Sequence, residues 1–154
     1  MIKLKQLLFE STAPDIFIPR RMEDRVERMI KQYIRNGSKG NLDLNSMNLT
    51  ELPDILKDIS VVGHFWCGYN DLTSLKNAPK SVGGTFSCSS NNLKSLTGAP
   101  TSVGGDFYCG NNFLTSLRGA PKTVGGDFVC HSNLGIFTKE QVRDECDVKG
   151  KIIV

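Results

Sequence analysis

Four cysteines recur at a constant spacing of 21 and are the first candidates for chemistry: Cys67, Cys88, Cys109 and Cys130. Thiolates bind soft metals and form disulfides, so both possibilities arise. If each cysteine lies on its own parallel strand, strands about 4.8 Å apart place the first and last thiols roughly 14 Å apart. One zinc ion holds its thiolates at about 2.3 Å, so a linear column cannot surround a single ion. The spacing therefore predicts no metal site.

The fifth cysteine, Cys146, lies outside this column. Neighbouring cysteines of the column could meet the distance requirement of a disulfide, but an odd total and a start without a signal-peptide pattern favour free thiols. No recognised nucleophile motif places a histidine or an acid beside Cys146. We therefore expect buried free thiols, no catalytic residue, no cofactor and no enzymatic activity.

Two histidines and a series of glycine pairs complete the candidates for chemistry. His64 and His131 are about three repeats apart, so we expect surface roles for them and no shared metal. The Gly-Gly pairs recur in every unit and precede a strand, not a helix N-terminus, which indicates turn geometry and no phosphate cradle.

The cysteines belong to a larger repeat that must position them. Its other columns keep the same spacing and are formed by Phe65, Phe86, Phe107 and Phe128, by Asn70, Asn91, Asn112 and Asn133, and by leucine, proline and glycine positions between them. Alternation along a strand turns the phenylalanine and cysteine side chains inward. We expect the asparagine amides to bond turn backbone from coil to coil, as a structural ladder beside the cysteine column.

The repeat resembles the leucine-rich-repeat template Leu-x-x-Leu-x-Leu-x-x-Asn-x-Leu over residues 41–137, with phenylalanine and cysteine at the two strand leucines. Upstream, residues 42–53 are interpreted as a first unit that is one residue shorter, with Ser46 in the cysteine column. The resemblance is to the short bacterial-type repeats. It implies an α/β leucine-rich-repeat solenoid of about five units of about 20–21 residues with a short parallel β-sheet.

A solenoid needs polar caps at both ends. Residues 1–40 are predicted to form an N-terminal segment with a capping helix, because Val26, Met29, Ile30 and Tyr33 recur at helical spacing and Gly37 follows. Residues 138–154 are predicted to form a C-terminal cap, in which Thr138 begins a helix and a short strand follows.

The net charge of +3 is unevenly distributed. Residues 1–40 hold nine basic and five acidic side chains, whereas residues 41–154 hold ten and eleven. So small a basic surplus, interrupted by acids, indicates a solvated helix face, and we expect no nucleic-acid partner. No apolar run approaches the roughly 18 residues that a bilayer requires, so we expect no membrane partner.

Function in solenoids usually resides on the outward sheet face, where side chains vary from unit to unit. Trp66 and Tyr108 are typical interface anchors, although they could instead only shield the sheet or the N-terminal segment. Further outward positions are Asp43, Asn45, Gly68, Ser89 and Gly110. The predicted partner-binding residues are Met47, His64, Trp66, Thr85, Ser87, Asp106, Tyr108, Asp127, Val129 and His131.

The repeat unit has the sequence Val-Gly-Gly-Asp-Phe-x-Cys-x-x-Asn-x-Leu-Thr-Ser-Leu-x-Gly-Ala-Pro. In this respect the chain is similar to small leucine-rich-repeat proteins of large tailed bacteriophages. That resemblance implies a protein-binding module in the cytoplasm of the infected host cell. Residues 1–10 also resemble phage head-targeting leaders, whose proteases cut after Leu-x-Glu, here Leu8-Phe9-Glu10. The alternative is therefore a virion-associated protein, and a plain amphipathic N-terminal helix remains open as well. The identity of the partner and the oligomeric state are not indicated.

Overall fold

The computed structural model describes residues 22–154, with side chains from residue 25 onward. The proposed leader, residues 1–10, lies outside this range. The chain winds into an α/β solenoid with a helical cap at each end, as predicted.

Each coil contributes one two-residue strand to each of two parallel sheets, except the last, which contributes only to the six-stranded sheet. The six-stranded sheet contains β1 (Leu42–Asp43), β3 (Phe65–Trp66), β5 (Phe86–Ser87), β7 (Phe107–Tyr108), β9 (Phe128–Val129) and β11 (Ile152–Ile153), in that order. The five-stranded sheet contains β2 (Ser60–Val61), β4 (Ser81–Val82), β6 (Ser102–Val103), β8 (Thr123–Val124) and β10 (Asp147–Val148), in order along the solenoid.

Equivalent residues of successive internal repeats stack directly over one another, which confirms the predicted columns. Phe65 pairs with Phe86, and Phe86 with Phe107. The centroids of successive phenylalanine rings lie 5.6, 5.4 and 5.1 Å apart along the column. These separations are in the range of favourable aromatic contacts, so the column forms a continuous core. The cysteine column and the two leucine columns are buried beside it.

The five-stranded sheet was not predicted. Its strands place Val61, Val82, Val103 and Val124 in the core. In the glycine column that follows, a Cβ on Gly104 would meet the carbonyl oxygen of Gly83 one coil earlier. Glycine therefore permits close stacking of the coils at this corner, where the leucine-rich template has a leucine.

The first unit is longer than predicted. Leu42 pairs with Phe65, whereas Phe65 pairs with Phe86, so the first unit holds two more residues than the next. Leu44 is buried, and its backbone N–H donates to the carbonyl oxygen of Trp66. Leu44, not Ser46, therefore occupies the cysteine column, and the predicted register was wrong by two positions. A 3-10 helix, Asp54–Asp58, takes up the additional length before β2.

Both caps follow their sequence signals. Helix α1 (Met22–Arg35) buries Val26, Ile30 and Tyr33 against the first coil, and Gly37 follows with a φ of +78°. Helix α2 (Lys139–Glu145) begins at a capping box, in which the Thr138 side chain accepts from the Gln141 N–H and the Gln141 side chain accepts from the Thr138 N–H. Strands β10 and β11 then end the two sheets.

Candidate interaction surface

The front face is defined here as the outward side chains of the six-stranded sheet. Each coil contributes one residue before the inward phenylalanine, one between phenylalanine and cysteine, and one after cysteine. The resulting columns are Asn41, His64, Thr85, Asp106, Asp127 and Lys151; Asp43, Trp66, Ser87, Tyr108, Val129 and Ile153; and Asn45, Gly68, Ser89, Gly110 and His131.

Two half-buried aromatic side chains stand on this face, two coils apart. The Trp66 ring stacks on His64 with centroids 5.2 Å apart and an interplanar angle of 13°. The Tyr108 hydroxyl donates to Asp106 Oδ2 at 3.2 Å. Burial, followed by the charge of Asp106, raises the pKa of Tyr108, so its hydroxyl stays protonated and continues to donate. Both side chains are therefore held in place by neighbours on their own strand.

The coil between the two aromatics carries only small hydroxyl side chains, Thr85, Ser87 and Ser89. Parallel strands are about 4.8 Å apart, so the Trp66 and Tyr108 positions lie about 9.6 Å apart across this low coil. On the front face, two large aromatic side chains are thus separated by one coil of short polar side chains.

Several front-face side chains also connect successive coils, which sequence reasoning did not anticipate. Each accepts a hydrogen bond from the backbone N–H of the residue one coil later in the same column, and we call this series the acceptor ladder. Its bonds run from His64 N to Asn41 Oδ1 (2.9 Å), Thr85 N to His64 Nδ1 (2.8 Å), Asp127 N to Asp106 Oδ1 (2.8 Å) and Lys151 N to Asp127 Oδ1 (2.7 Å). Since Nδ1 of His64 accepts, its ring proton lies on Nε2.

Two predicted binding residues are less accessible than expected. Met47 lies beyond β1 at the position of the asparagine column, where it is half-buried against the core and its N–H donates to Asn70 Oδ1. Its predicted place on the strand face is wrong, because the register of the first unit was wrong. Val129 is on the face but only 7% exposed, because Tyr108 and Ile153 flank it in register.

Tyr69 was missed by the sequence reasoning. Its side chain is 69% exposed beside the front face, and its φ is +54°. The same left-handed position in other coils holds Ser46, Ser90, Asn111 and Ser132. Serine and asparagine tolerate this conformation better than a bulky side chain does, so a tyrosine here is strained. A large exposed side chain retained despite such strain is a typical feature of a functional site. The available signal was the break in a column of small polar residues.

The cysteine column is structural in character. The Cys67 and Cys88 thiols donate to the carbonyl oxygens of Ser87 and Tyr108 at 3.4 and 3.5 Å. Burial raises the pKa of both thiols, so they are protonated at neutral pH. A hydrogen bond from Cys109 lowers the pKa of Cys130. The five cysteines are all free and buried.

The four asparagines beside this column bond backbone across coils. Asn91 is typical: Oδ1 accepts from Leu72 N at 2.9 Å, and Nδ2 donates to the carbonyl oxygens of Cys67 and Cys88 at 3.0 Å each. Asn112 and Asn133 repeat this pattern one and two coils later. Asn70 differs only in accepting from both Met47 and Leu49.

Among the side chains that the structure describes, those of residues 25–154, no three His, Cys, Asp or Glu gather as a group able to hold a metal ion. His131 is exposed and lies 3.1 Å from Ser132 Oγ, far along the solenoid from His64. Neither of the described helices combines the length and apolar character needed to cross a bilayer. Comparison of the chain with protein-family models, curated proteins and solved structures finds no match.

Proposed function

We propose that this chain is a non-catalytic protein-binding module of the leucine-rich-repeat type, which holds its partner on the front face. The carrying observation is that front-face side chains differ from coil to coil, whereas the phenylalanine, cysteine and asparagine columns keep one residue type through the internal repeats. Uniform inner columns satisfy the fold. The differences among the front-face side chains are not needed to form these inner columns.

The aromatic side chains support this proposal because the solenoid itself accepts small ones in their place. In the coil of Thr85, Ser87 and Ser89, hydroxyl side chains occupy the same columns without loss of strand pairing. Trp66, Tyr69 and Tyr108 therefore add apolar area to a surface that could be polar. Tryptophan and tyrosine are the side chains that most often anchor interfaces.

The test is capture of a partner by the immobilised chain from an infected-cell lysate, followed by mass spectrometry. Substituting both Trp66→Ala and Tyr108→Ala should reduce recovery of a specific partner about tenfold or more. The control is Val62→Ala, which removes an exposed apolar side chain (66% exposed) away from the front face. Equal recovery by the double variant and the control, at matched thermal stability, would contradict the proposal.

The proposed setting is the cytoplasm of a phage-infected host cell, on the strength of the resemblance of the repeat unit to phage proteins. A second candidate is a virion-associated role, favoured by the Leu-x-Glu pattern that ends at Glu10. Mass spectrometry of purified particles distinguishes the two. Detection of the chain beginning at Ser11 supports packaging, and its absence from particles removes that candidate.

A further inference from the structure

The charge of the front face is opposite in sign to that of the whole chain. Its charged residues are Asp43, Asp106, Asp127 and Lys151, so the face carries two net negative charges with neutral histidines. The full sequence has a net charge of +3. No lysine or arginine occupies an outward position of the five coils before β11. The surface that we propose for binding is therefore a local concentration of negative charge on the solenoid, because residues 41–154 as a whole hold ten basic and eleven acidic side chains.

The three carboxylates are held in fixed positions, and on this face only Lys151, the next residue after Asp127 in the same column, brings a positive charge near them. One oxygen of each accepts a backbone N–H, from Asn45 (2.9 Å), Asp127 (2.8 Å) and Lys151 (2.7 Å) respectively. The salt bridges of the described residues use other acids, namely Glu27, Asp54, Asp58, Glu140 and Asp147. Asp106 and Asp127 are adjacent in one column, about 4.8 Å apart by strand spacing, where like charges repel. A cation bound from outside relieves that repulsion.

Each aromatic side chain has a carboxylate as its immediate neighbour. Asp43 pairs in register with Trp66 on the adjacent strand. Tyr108 is hydrogen-bonded to Asp106. An aromatic ring beside a carboxylate suits arginine in particular, because a guanidinium stacks on the ring and also donates two parallel hydrogen bonds to the acid. The ammonium of lysine has no planar fork, so it satisfies the same pair less well.

We infer that the front face binds a basic, extended segment of its partner that presents two arginines, one to Trp66 and Asp43 and the other to Tyr108 and Asp106. This inference rests on the proposed function and specifies its partner class. The two aromatic positions are about 9.6 Å apart across two strand spacings, which sets the separation of the arginines. In a polyproline II segment, side chains three residues apart are on one side and about 9.3 Å apart. Alternate residues of a β-strand are only about 6.8 Å apart, which is too close. The carboxylates repel a polyanion, so nucleic acid is not the occupant.

The test measures fluorescence anisotropy of labelled peptides against the full chain. The matched peptide is proline-rich with arginines at positions i and i+3, and the control peptide has the same composition with adjacent arginines. We expect the matched peptide to bind about five- to tenfold more tightly, since only its two cations reach both aromatics, and to weaken as salt is raised. A peptide with glutamates in place of the arginines should not bind.

The decisive protein variant carries Asp43→Asn, Asp106→Asn and Asp127→Asn together. Asparagine retains an acceptor oxygen, as Asn41 shows in the column of Asp106 and Asp127, so the backbone bonds and the thermal midpoint should be kept. Affinity for the matched peptide should fall about tenfold or more. Unchanged affinity, or equal binding of the control or glutamate peptide, would overturn the inference.

If a peptide of residues 1–21 binds the face more tightly than the matched peptide, the occupant is this chain's own basic N-terminal segment, which also overturns it. Loss of peptide binding while Trp66-dependent capture from lysate persists would reject the arginine partner and leave the proposed function standing.

Discussion

Replacing Tyr69 with asparagine should stabilise the fold and weaken partner binding at the same time. Tyr69 has a φ of +54°, in the left-handed region, and its side chain is mostly exposed. Asn111 occupies the equivalent position two coils later with the same φ. Asparagine is therefore already accommodated by this turn, and the substitution asks for no change in backbone conformation.

The expected change in unfolding free energy is the difference between two opposing effects, relief of backbone strain and loss of buried apolar surface. A side chain other than glycine or asparagine costs about 1–2 kcal/mol in the left-handed conformation. Full burial of a large apolar side chain stabilises by about 1.5–3 kcal/mol, and Tyr69, at 69% exposed, buries about a third of its surface, so the substitution forfeits about 0.5–1 kcal/mol. The net expectation is an increase of about 0.5–1 kcal/mol in unfolding free energy. For a chain of this length that corresponds to a rise of about 1–4 °C in the thermal midpoint.

The assay combines urea unfolding with partner capture. The reciprocal variant, Asn111→Tyr, should lower the unfolding free energy by about 1–2 kcal/mol, since it introduces the strain without a burial site for the ring. Capture of the partner by the Tyr69→Asn variant should fall severalfold. If Tyr69→Asn destabilises the protein, the strain argument is wrong; if it stabilises without loss of capture, Tyr69 lies outside the interface.

Three further expectations concern the scaffold. Asn91→Ala leaves several buried backbone groups without partners and should cost about 3 kcal/mol in urea unfolding, whereas Asn133→Ala in the half-exposed last repeat should cost less; equal losses would contradict the burial argument. Thr138→Ala removes half of the capping box and should cost about 1 kcal/mol, with Lys139→Ala as a nearby control. Burial raises the pKa of Cys146 from its usual value of 9.0 to about 11. The folded state thus favours the protonated thiol, so the stability it contributes is complete below pH 9 and is lost as pH rises towards 11. Between pH 8 and pH 10, the unfolding free energy should fall less for Cys146→Ala than for the native chain. An identical fall in the two proteins would count against burial as the cause.

The sequence predicts the inner columns and the caps because they depend on local and periodic signals. A constant repeat length places phenylalanine over phenylalanine whatever the detailed path of the coil. The capping box at Thr138 joins that residue to Gln141 nearby in sequence, so its local pattern is sufficient. The apolar face of α1 follows from helical spacing in the same way.

Other features require the path of the chain in three dimensions. Two-residue strands are too short to show alternation, so the valine column of Val61, Val82, Val103 and Val124 was the only sign of the five-stranded sheet. The first unit lacks phenylalanine and cysteine, so its register had no anchor, and the 3-10 helix that lengthens it was missed. That error also misplaced Met47.

At the candidate surface, the sequence identifies which side chains share a face but not how they are engaged. Trp66 and Tyr108 are on the predicted side of the sheet. The stacking of Trp66 on His64 and the acceptor ladder depend on side-chain rotamers and on neighbours one coil away. The exposure of Tyr69 depends on a left-handed turn that no single unit reveals.

The single low coil between Trp66 and Tyr108 has a consequence for engineering. A second copy of residues 85–105, inserted after Gly105, would find the same inner columns above and below it. The insertion would lengthen the molecule by one strand spacing and move the two rings from about 9.6 Å to about 14 Å apart. The number of such inserts therefore sets the distance between the two rings in fixed increments of one strand spacing.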